Sequence, residues 1–136
     1  MAEVKIRFRD TDSTGRIFFS RYLEFFGDTT IEFFRERGII FDPAGCLLLN
    51  GLKRDEIFVV AECHCTFLGE TLFDEVVEIF PELKEIGEKK MVLQFTCSNK
   101  SKGSISAKGY MIFVCYDTKT CKSVRIPEEV RLRLDS

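Results

Sequence analysis

The chain has 136 residues, 45% of them hydrophobic and 31% charged. That length holds one ordinary domain and excludes two, and the composition excludes a disordered chain. No apolar run approaches the roughly 20 residues of a membrane span, and a net charge of -2 without a polybasic stripe argues against nucleic acid as a partner. A chain this long buries roughly 68% of its unfolded surface, so its core needs neither disulfide nor metal.

Charge is unevenly spread. Residues 1–83 carry 9 basic and 16 acidic side chains, a net -7, whereas residues 84–136 carry 11 and 6, a net +5. A basic second half suits phosphates, either of a nucleotide-bearing cofactor or of an acidic carrier. The opening MAEVKIRFRD reads as a charged strand rather than a secretion signal, so the expectation is a cytoplasmic protein with reduced thiols.

In chain order, Val4, Ile6 and Phe8 alternate with Lys5, Arg7 and Arg9, which predicts a strand over Glu3–Arg9. A polar turn, Asp10-Thr11-Asp12-Ser13-Thr14-Gly15, follows. A helix is predicted from Arg21 to Arg37, with Ser20 as N-cap, Gly38 as terminator and Arg35 and Arg37 at its negative end. Its aromatic residues occupy most of its circumference, which predicts burial all round. Gly27 in its interior costs about 1 kcal/mol against Ala, which predicts a close neighbour there. The stretch with Asp42-Pro43-Ala44-Gly45 and Asn50-Gly51 reads as loop.

The remainder alternates with period two. Ile57, Val59, Ala61, Cys63, Cys65 and Phe67 are predicted on one face, with Glu62, His64 and Thr66 on the other. Met91 to Cys97 and Ile105 to Cys115 alternate likewise, and the turns 99–103 and 117–120 link an antiparallel meander. Pro81 places an edge or a bulge in the strand over Glu75–Lys84. One long apolar helix among such strands predicts an α+β fold, a single domain over residues 1–136, with a curved antiparallel sheet wrapped round the helix.

Six cysteines raise the question of a metal, yet no CxxC occurs. Cys63-His64-Cys65 cannot converge on one ion, because neighbours along a strand point to opposite faces. They read as core cysteines, with no metal expected.

The chemistry-bearing stretch runs from Asp10 to Phe34. Asp12 stands eight residues before Ser20, and the first free N–H groups of the helix are expected near Ile17–Arg21, where they favour an oxygen gaining negative charge. A carboxylate facing such donors is the minimum apparatus for acyl transfer to water. The same residues equally suit a plain turn whose carboxylates bond backbone amides. Asp10 reads as the structural cap of that turn, and His64 as a residue of the polar strand face.

The run IRFRDTDSTGRIFFSRYLEFFGDTTIEFFRERG resembles the opening signature of hotdog-fold acyl-CoA thioesterases of the 4-hydroxybenzoyl-CoA thioesterase type: strand, D-x-D-x-x-G, two hydrophobic residues, Tyr or His, then a helix. The likeness continues through FVVAECHCTFLGETLFDEV to VRIPEEVRLRL, and Cys63–Cys65, Phe67 and Phe73-Asp74-Glu75-Val76 look closer still to thioesterases of enediyne polyketide pathways. The resemblance implies hydrolysis of an acyl or aroyl thioester of coenzyme A or of an acyl carrier protein. No cofactor is implied beyond the CoA of the substrate. It implies a homodimer or homotetramer with the substrate in a tunnel between subunits, and no membrane or nucleic-acid partner.

Residue by residue, Asp12 takes the place of the catalytic carboxylate, and Phe19 falls where the backbone N–H polarises the thioester carbonyl. Gly15, Tyr22, Lys89 and Lys90 are the substrate-binding candidates, the two lysines for the CoA phosphates. Arg21 replaces an Asn, and Thr30 replaces an Arg tied to activity in the enediyne relatives. Those relatives carry Asn at the place of Asp12. Hotdog dehydratases require a His paired with a helix acid, and this chain lacks it. The alternative is a non-catalytic acyl-binding module, favoured by Phe19 and Thr30 and opposed by Asp12.

Overall fold

The computed structural model describes residues 1–135; Ser136, the last position of the expected domain, lies outside the described residues. Strand β1 covers Ala2–Lys5 and gives way to a short 3-10 turn at Phe8–Asp10, so the first strand ends earlier than its alternation predicts. The cause is Asp10, whose carboxylate accepts the Arg7 N–H at 2.9 Å and turns the chain out of the sheet.

Helix α1, Arg21–Arg35, buries Tyr22, Phe25, Phe26, Thr29, Thr30, Phe33 and Phe34. Those positions recur at i, i+3 and i+4, which is one stripe rather than the whole circumference. Glu24, Asp28, Ile31, Glu32 and Arg35 are exposed. Ser20 occupies the N-cap without a side-chain cap bond. Gly38, at φ +73°, terminates the helix as its sequence position requires: its N–H reaches the Arg35 carbonyl at 2.9 Å and the Ile39 N–H reaches Phe34.

The segment read as loop contains three short strands, β2 (Ile40–Phe41), β3 (Leu47–Leu49) and β4 (Leu52–Lys53), paired in that order. Asn50 and Gly51 join the last two with φ of 54° and 78°, the two left-handed residues of a tight hairpin. Then come β5 (Glu56–Phe67), β6 (Val76–Ile86), β7 (Lys90–Asn99), β8 (Ser104–Asp117), β9 (Lys122–Ser123) and helix α2 (Glu128–Leu134). The large antiparallel sheet runs β1-β6-β7-β8-β5, with β9 also on β8. Pairing of β1 stops at Ala2–Ile79, so Pro81 lies where β6 is an edge, as its missing N–H demands.

The sheet curls over α1. Phe26 stacks on Phe95 at 4.5 Å with rings 6° apart, and Gly109 of β8 makes room for it. A Cβ there would stand 2.5 Å from the Phe26 ring and 2.2 Å from the His64 carbonyl oxygen. The close approach expected at Gly27 is therefore at Gly109; nothing lies within 4 Å of a Cβ on Gly27.

The faces of β5 also differ from simple alternation. A bulge between Val60 and Glu62 swaps them midway. Cys63, Cys65 and Phe67 oppose the inward residues Met111, Gly109 and Ala107, but before the bulge Phe58 and Val60 oppose Cys115 and Phe113. Ile57 and Val59 accordingly belong to the outer face. Helix α2 covers the open end of the core with Val130 and Leu134. Its Arg131 donates to the Gly87 and Glu88 carbonyls, and its Arg133 donates to the Gly38 carbonyl and to Asn50.

Candidate active site

Residues 11–17 fold back on themselves. The Asp12 N–H donates to the Arg16 carbonyl at 2.7 Å, the Gly15 N–H donates to the Asp12 carbonyl at 3.1 Å, and Thr11 bridges Ile17. Gly15 takes φ +76°, which any Cβ would strain. This loop docks on the segment after β5: the Ile17 N–H reaches the Thr71 carbonyl at 2.9 Å and the Phe73 N–H reaches Gly15 at 3.2 Å. Beneath it Asp10 is wholly buried and takes a bidentate pair from Arg7 at 2.9 and 3.0 Å. Burial pushes its carboxyl up, but the Arg7 hydrogen bonds outweigh that and hold it below the usual carboxylate range. Asp10 is a structural cap, as its turn position suggests.

The docked loop leaves a cavity of about 420 Å³ lined by Asp12, Arg16, Phe19, Phe67, Glu70 and Thr71, with Ile17 and Gly69. Asp12 is exposed at the mouth of this cavity. Its Oδ1 accepts the Thr14 N–H at 2.8 Å and the Thr14 hydroxyl at 2.5 Å. Those two bonds hold its carboxyl below the ordinary value, so it is ionised at neutral pH. No described residue donates to its Oδ2.

The N–H groups leading into α1 divide sharply. Ile17 donates to Thr71, Phe18 to Asp10 and Arg21 to Phe18, whereas the N–H groups of Phe19 and Ser20 have no acceptor among the described residues. Phe19 is 65% exposed, and its ring lies 4.7 Å from that of Phe18. Asp12 and Phe19, the two candidate catalytic residues of the sequence, thus line one cavity beside the positive end of α1. A carboxylate and an unclaimed donor there suit a carbonyl carbon under attack.

The candidate binding residues are scattered by comparison. Gly15 shapes the turn. Tyr22 is fully buried behind the cavity wall, with its hydroxyl 2.8 Å from Thr71 Oγ1 and 3.0 Å from Ser106 Oγ, so it braces the wall rather than touching a ligand. Lys89 and Lys90 lie exposed at the turn between β6 and β7. The cavity adjoins the other end of β7, where Asn99 Nδ2 reaches the Glu70 carbonyl at 3.5 Å. Ten residues of strand separate the two ends, about 30 Å. Within one subunit the lysines therefore cannot reach the cavity that holds Asp12.

Arg21 bonds Glu24 and the Arg9 carbonyl and lies 3.5 Å from Asp10, and Thr30 turns its hydroxyl to the Phe26 carbonyl at 2.8 Å. His64 lies on the outer sheet face, stacked on Tyr110 at 5.2 Å. Cys46, Cys97 and Cys115 are buried as expected, but Cys63 and Cys121 are exposed. Burial pushes the thiols of Cys65 and Cys115 up to about 11 and that of Cys97 up to about 12. Among the described residues no group of three or more His, Cys, Asp or Glu is placed to hold a metal ion.

Sequence reasoning passed over Arg16, Glu70 and Thr71 in the cavity wall. Arg16 Nε donates to Glu70 Oε1 at 2.7 Å across 54 positions of sequence, a pairing no local pattern announces. It also passed over a second cavity, about 330 Å³, walled by Phe34, Phe41, Phe58 and Phe113 with Thr30 and Ile31. The four rings stand 5.6 to 6.4 Å from Phe34 or from one another.

Residues 6–134 match the family model described as the thioesterase-like superfamily. No curated protein sequence matches the chain. Among solved structures, a gentisyl-coenzyme A thioesterase superposes with a TM-score of 0.81 at 23% identity, covering 100% of both chains. A 1,4-dihydroxy-2-naphthoyl-CoA thioesterase from Synechocystis gives 0.85 at 12% identity, covering 99% of this chain and 94% of that one. A Staphylococcus aureus protein in complex with CoA gives 0.82 at 16% identity, covering 98% and 80%. These likenesses establish the fold, a curved antiparallel sheet wrapped round a helix in the hotdog manner.

Proposed function

Because the chain belongs to the thioesterase-like superfamily, we propose that it hydrolyses an acyl or aroyl thioester of coenzyme A, or of an acyl carrier protein, to the free acid. The observation that carries this reading is the pairing in one cavity of ionised Asp12 with the unclaimed Phe19 N–H. The thioester oxygen would accept the Phe19 N–H. Asp12 would take a proton from water as the water oxygen bonds to the carbonyl carbon, or attack that carbon itself. On the first route the C–S bond then breaks and the departing thiolate takes up that proton. On the second, C–S cleavage would leave a mixed anhydride on Asp12, which water would hydrolyse to the free acid and the carboxylate, one water proton going to the thiolate. An oxyanion donor and a positioned base each supply on the order of 10²–10³-fold or more.

We infer that the working unit is a homodimer, or a pair of dimers, joined along β5. That strand pairs only with β8 and is an open edge on its other side, with exposed Val59, Val60, Phe67 and Leu68. The two cavities sit at its opposite ends, one at Phe67 and one at Phe58. Antiparallel pairing about a two-fold axis would set the aromatic cavity of one copy beside the Asp12 cavity of the other. The same operation would carry Lys89 and Lys90 of the second copy toward that end, since Lys90 and Val59 both neighbour Val114. The lysines are then available to CoA phosphates. The neighbour solved with CoA is consistent with that carrier. A cytoplasmic location fits free thiols and no helix long and apolar enough to cross a membrane.

One observation favours a second reading, a non-catalytic acyl-binding module: Asp12 spends Oδ1 inside its own turn. A panel of acyl-CoAs from acetyl to decanoyl, with benzoyl-CoA, decides. Turnover of any member that depends on Asp12 supports the hydrolase. Saturable binding of acyl-CoA with no turnover supports the module.

A further inference from the structure

The Asp12 carboxylate is held asymmetrically. Thr14 supplies two donors to Oδ1 and none to Oδ2. Thr14 is in turn fixed from outside the loop, because Arg16 Nη1 donates to the Thr14 carbonyl at 3.2 Å while Arg16 Nε grips Glu70 at 2.7 Å. Glu70 belongs to the opposite wall of the cavity, and that wall is anchored by Lys102 Nζ and Asn99 Nδ2, both directed at the Glu70 carbonyl. The loop carrying the carboxylate, already docked by backbone hydrogen bonds to the segment holding Glu70, is thereby also tied to it by a side chain that touches Thr14.

We propose that Thr14, tethered through Arg16 to Glu70, is the positioning residue of this site: it pins Oδ1 of Asp12 so that Oδ2 alone faces the reacting carbon or its water. This rests on the hydrolase reading and assigns to Thr14, Arg16 and Glu70 a task the reading leaves open. A carboxylate free to rotate about its Cβ–Cγ bond presents either oxygen in many orientations. Fixing one oxygen with an N–H and an O–H removes that freedom before substrate arrives, which is where positioned groups gain most of their rate advantage. Thr14 does not line the cavity, so it acts only through Asp12.

The same two bonds hold the Asp12 carboxyl low, with the Thr14 hydroxyl as the larger cause. A positioning role therefore has a signature that loop stability lacks. Loss of the hydroxyl must move the acidic limb of the rate profile to higher pH, because the ionised carboxylate loses its strongest stabiliser.

The test uses the full chain and whichever of benzoyl-CoA or octanoyl-CoA the wild type hydrolyses faster. Thr14→Val keeps the branched shape and the N–H and removes only the hydroxyl. Its kcat is expected to fall about tenfold, a fraction of what a 1 Å misplacement costs, with KM within about twofold and the acidic limb displaced upward. Thr14→Ser is expected to restore both rate and limb. A Thr14→Val enzyme with wild-type kcat and an unmoved limb overturns the proposal while Asp12→Asn remains inactive. An Asp12→Asn enzyme of full activity overturns the underlying reading instead. Where Thr14→Val fails to melt cooperatively, Glu70→Gln carries the test: lower kcat at unchanged KM supports the tether, and unchanged kcat overturns it.

Discussion

The two ends of β5 are built from different chemistry. At the Phe67 end the cavity holds two carboxylates, a guanidinium and an unclaimed backbone donor. At the Phe58 end the cavity is a box of phenyl rings, and the carboxylate in its described wall, Asp42, accepts the Ala44 and Cys46 amides of its own turn and lies 3.7 Å from Lys53 Nζ. One end can move protons and stabilise charge; the other can only exclude water and fit shape. A strand of twelve residues spans about 40 Å, too far for one acyl group to touch both in one subunit. On the proposed function, reaction and recognition would be separated along one edge, and the proposed pairing of that edge with its own copy would reunite them.

The largest test of the reactive end is Asp12→Asn, which keeps shape and removes the proton acceptor. Turnover should drop at least about a hundredfold with little change in KM, and thermal melting should be nearly unaffected. A wild-type rate would reduce Asp12 to a turn residue and leave the Phe67 end without its base. The recognition end is broken by filling it. Phe58→Trp should cut kcat/KM for octanoyl-CoA or benzoyl-CoA about tenfold, the value of one or two methylenes' worth of lost fit, and leave acetyl-CoA hydrolysis unchanged. Equal loss on all three substrates would detach that cavity from the acyl group.

A smaller effect is expected at the far turn. Lys89→Gln with Lys90→Gln should raise KM for acyl-CoA several-fold, by roughly 1 kcal/mol for the two exposed phosphate contacts together, and spare an N-acetylcysteamine thioester. Because the lysines are distant from Asp12 within a subunit, a mixed dimer of this variant with Asp12→Asn should recover one intact site. Proportionate loss without recovery would mean that each site is built from a single chain.

The smallest effect concerns Asp10, which separates structure from chemistry within the same loop. Its folded-state carboxyl lies below its unfolded value, so its stabilisation is present above the unfolded value, near pH 3.8, and is lost as pH falls through the lower folded one. Asp10→Asn should lower Tm at neutral pH by roughly 3 °C, given a partner Arg7 half open to water and about 1 kcal/mol at stake. The gap should close in acid, and kcat should hold. An Asp10→Asn enzyme that melts like the wild type would remove the cap.

What the sequence made legible follows from what is local. The existence of α1 and its terminator Gly38 are read within a few residues, because helix period and cap are short-range signals, whereas its predicted burial all round reduces to one stripe. The candidate site comes from the D-x-D-x-x-G resemblance, which implies roles for Asp12 and the Phe19 N–H that the local residues alone do not. The bulge at Ala61 left no residue-type signature, so one extra position inverted the faces of Ile57 and Val59. Gly27 drew attention as a helix glycine, yet the tight contact belongs to Gly109, whose partner Phe26 lies 83 positions away. The Arg16–Glu70 tie and the distance of Lys89 from Asp12 depend on strand order, which no window of sequence contains.

Helix α2 ties together regions made at very different times during synthesis. Its two arginines hold the end of α1 at Gly38, the hairpin at Asn50 and the turn at Gly87–Glu88, and its apolar face seals the core. A ribosome completes every strand of the large sheet before it delivers this helix. The nascent chain therefore carries the strands of the sheet with one end of their core uncovered until residues 128–134 have followed them.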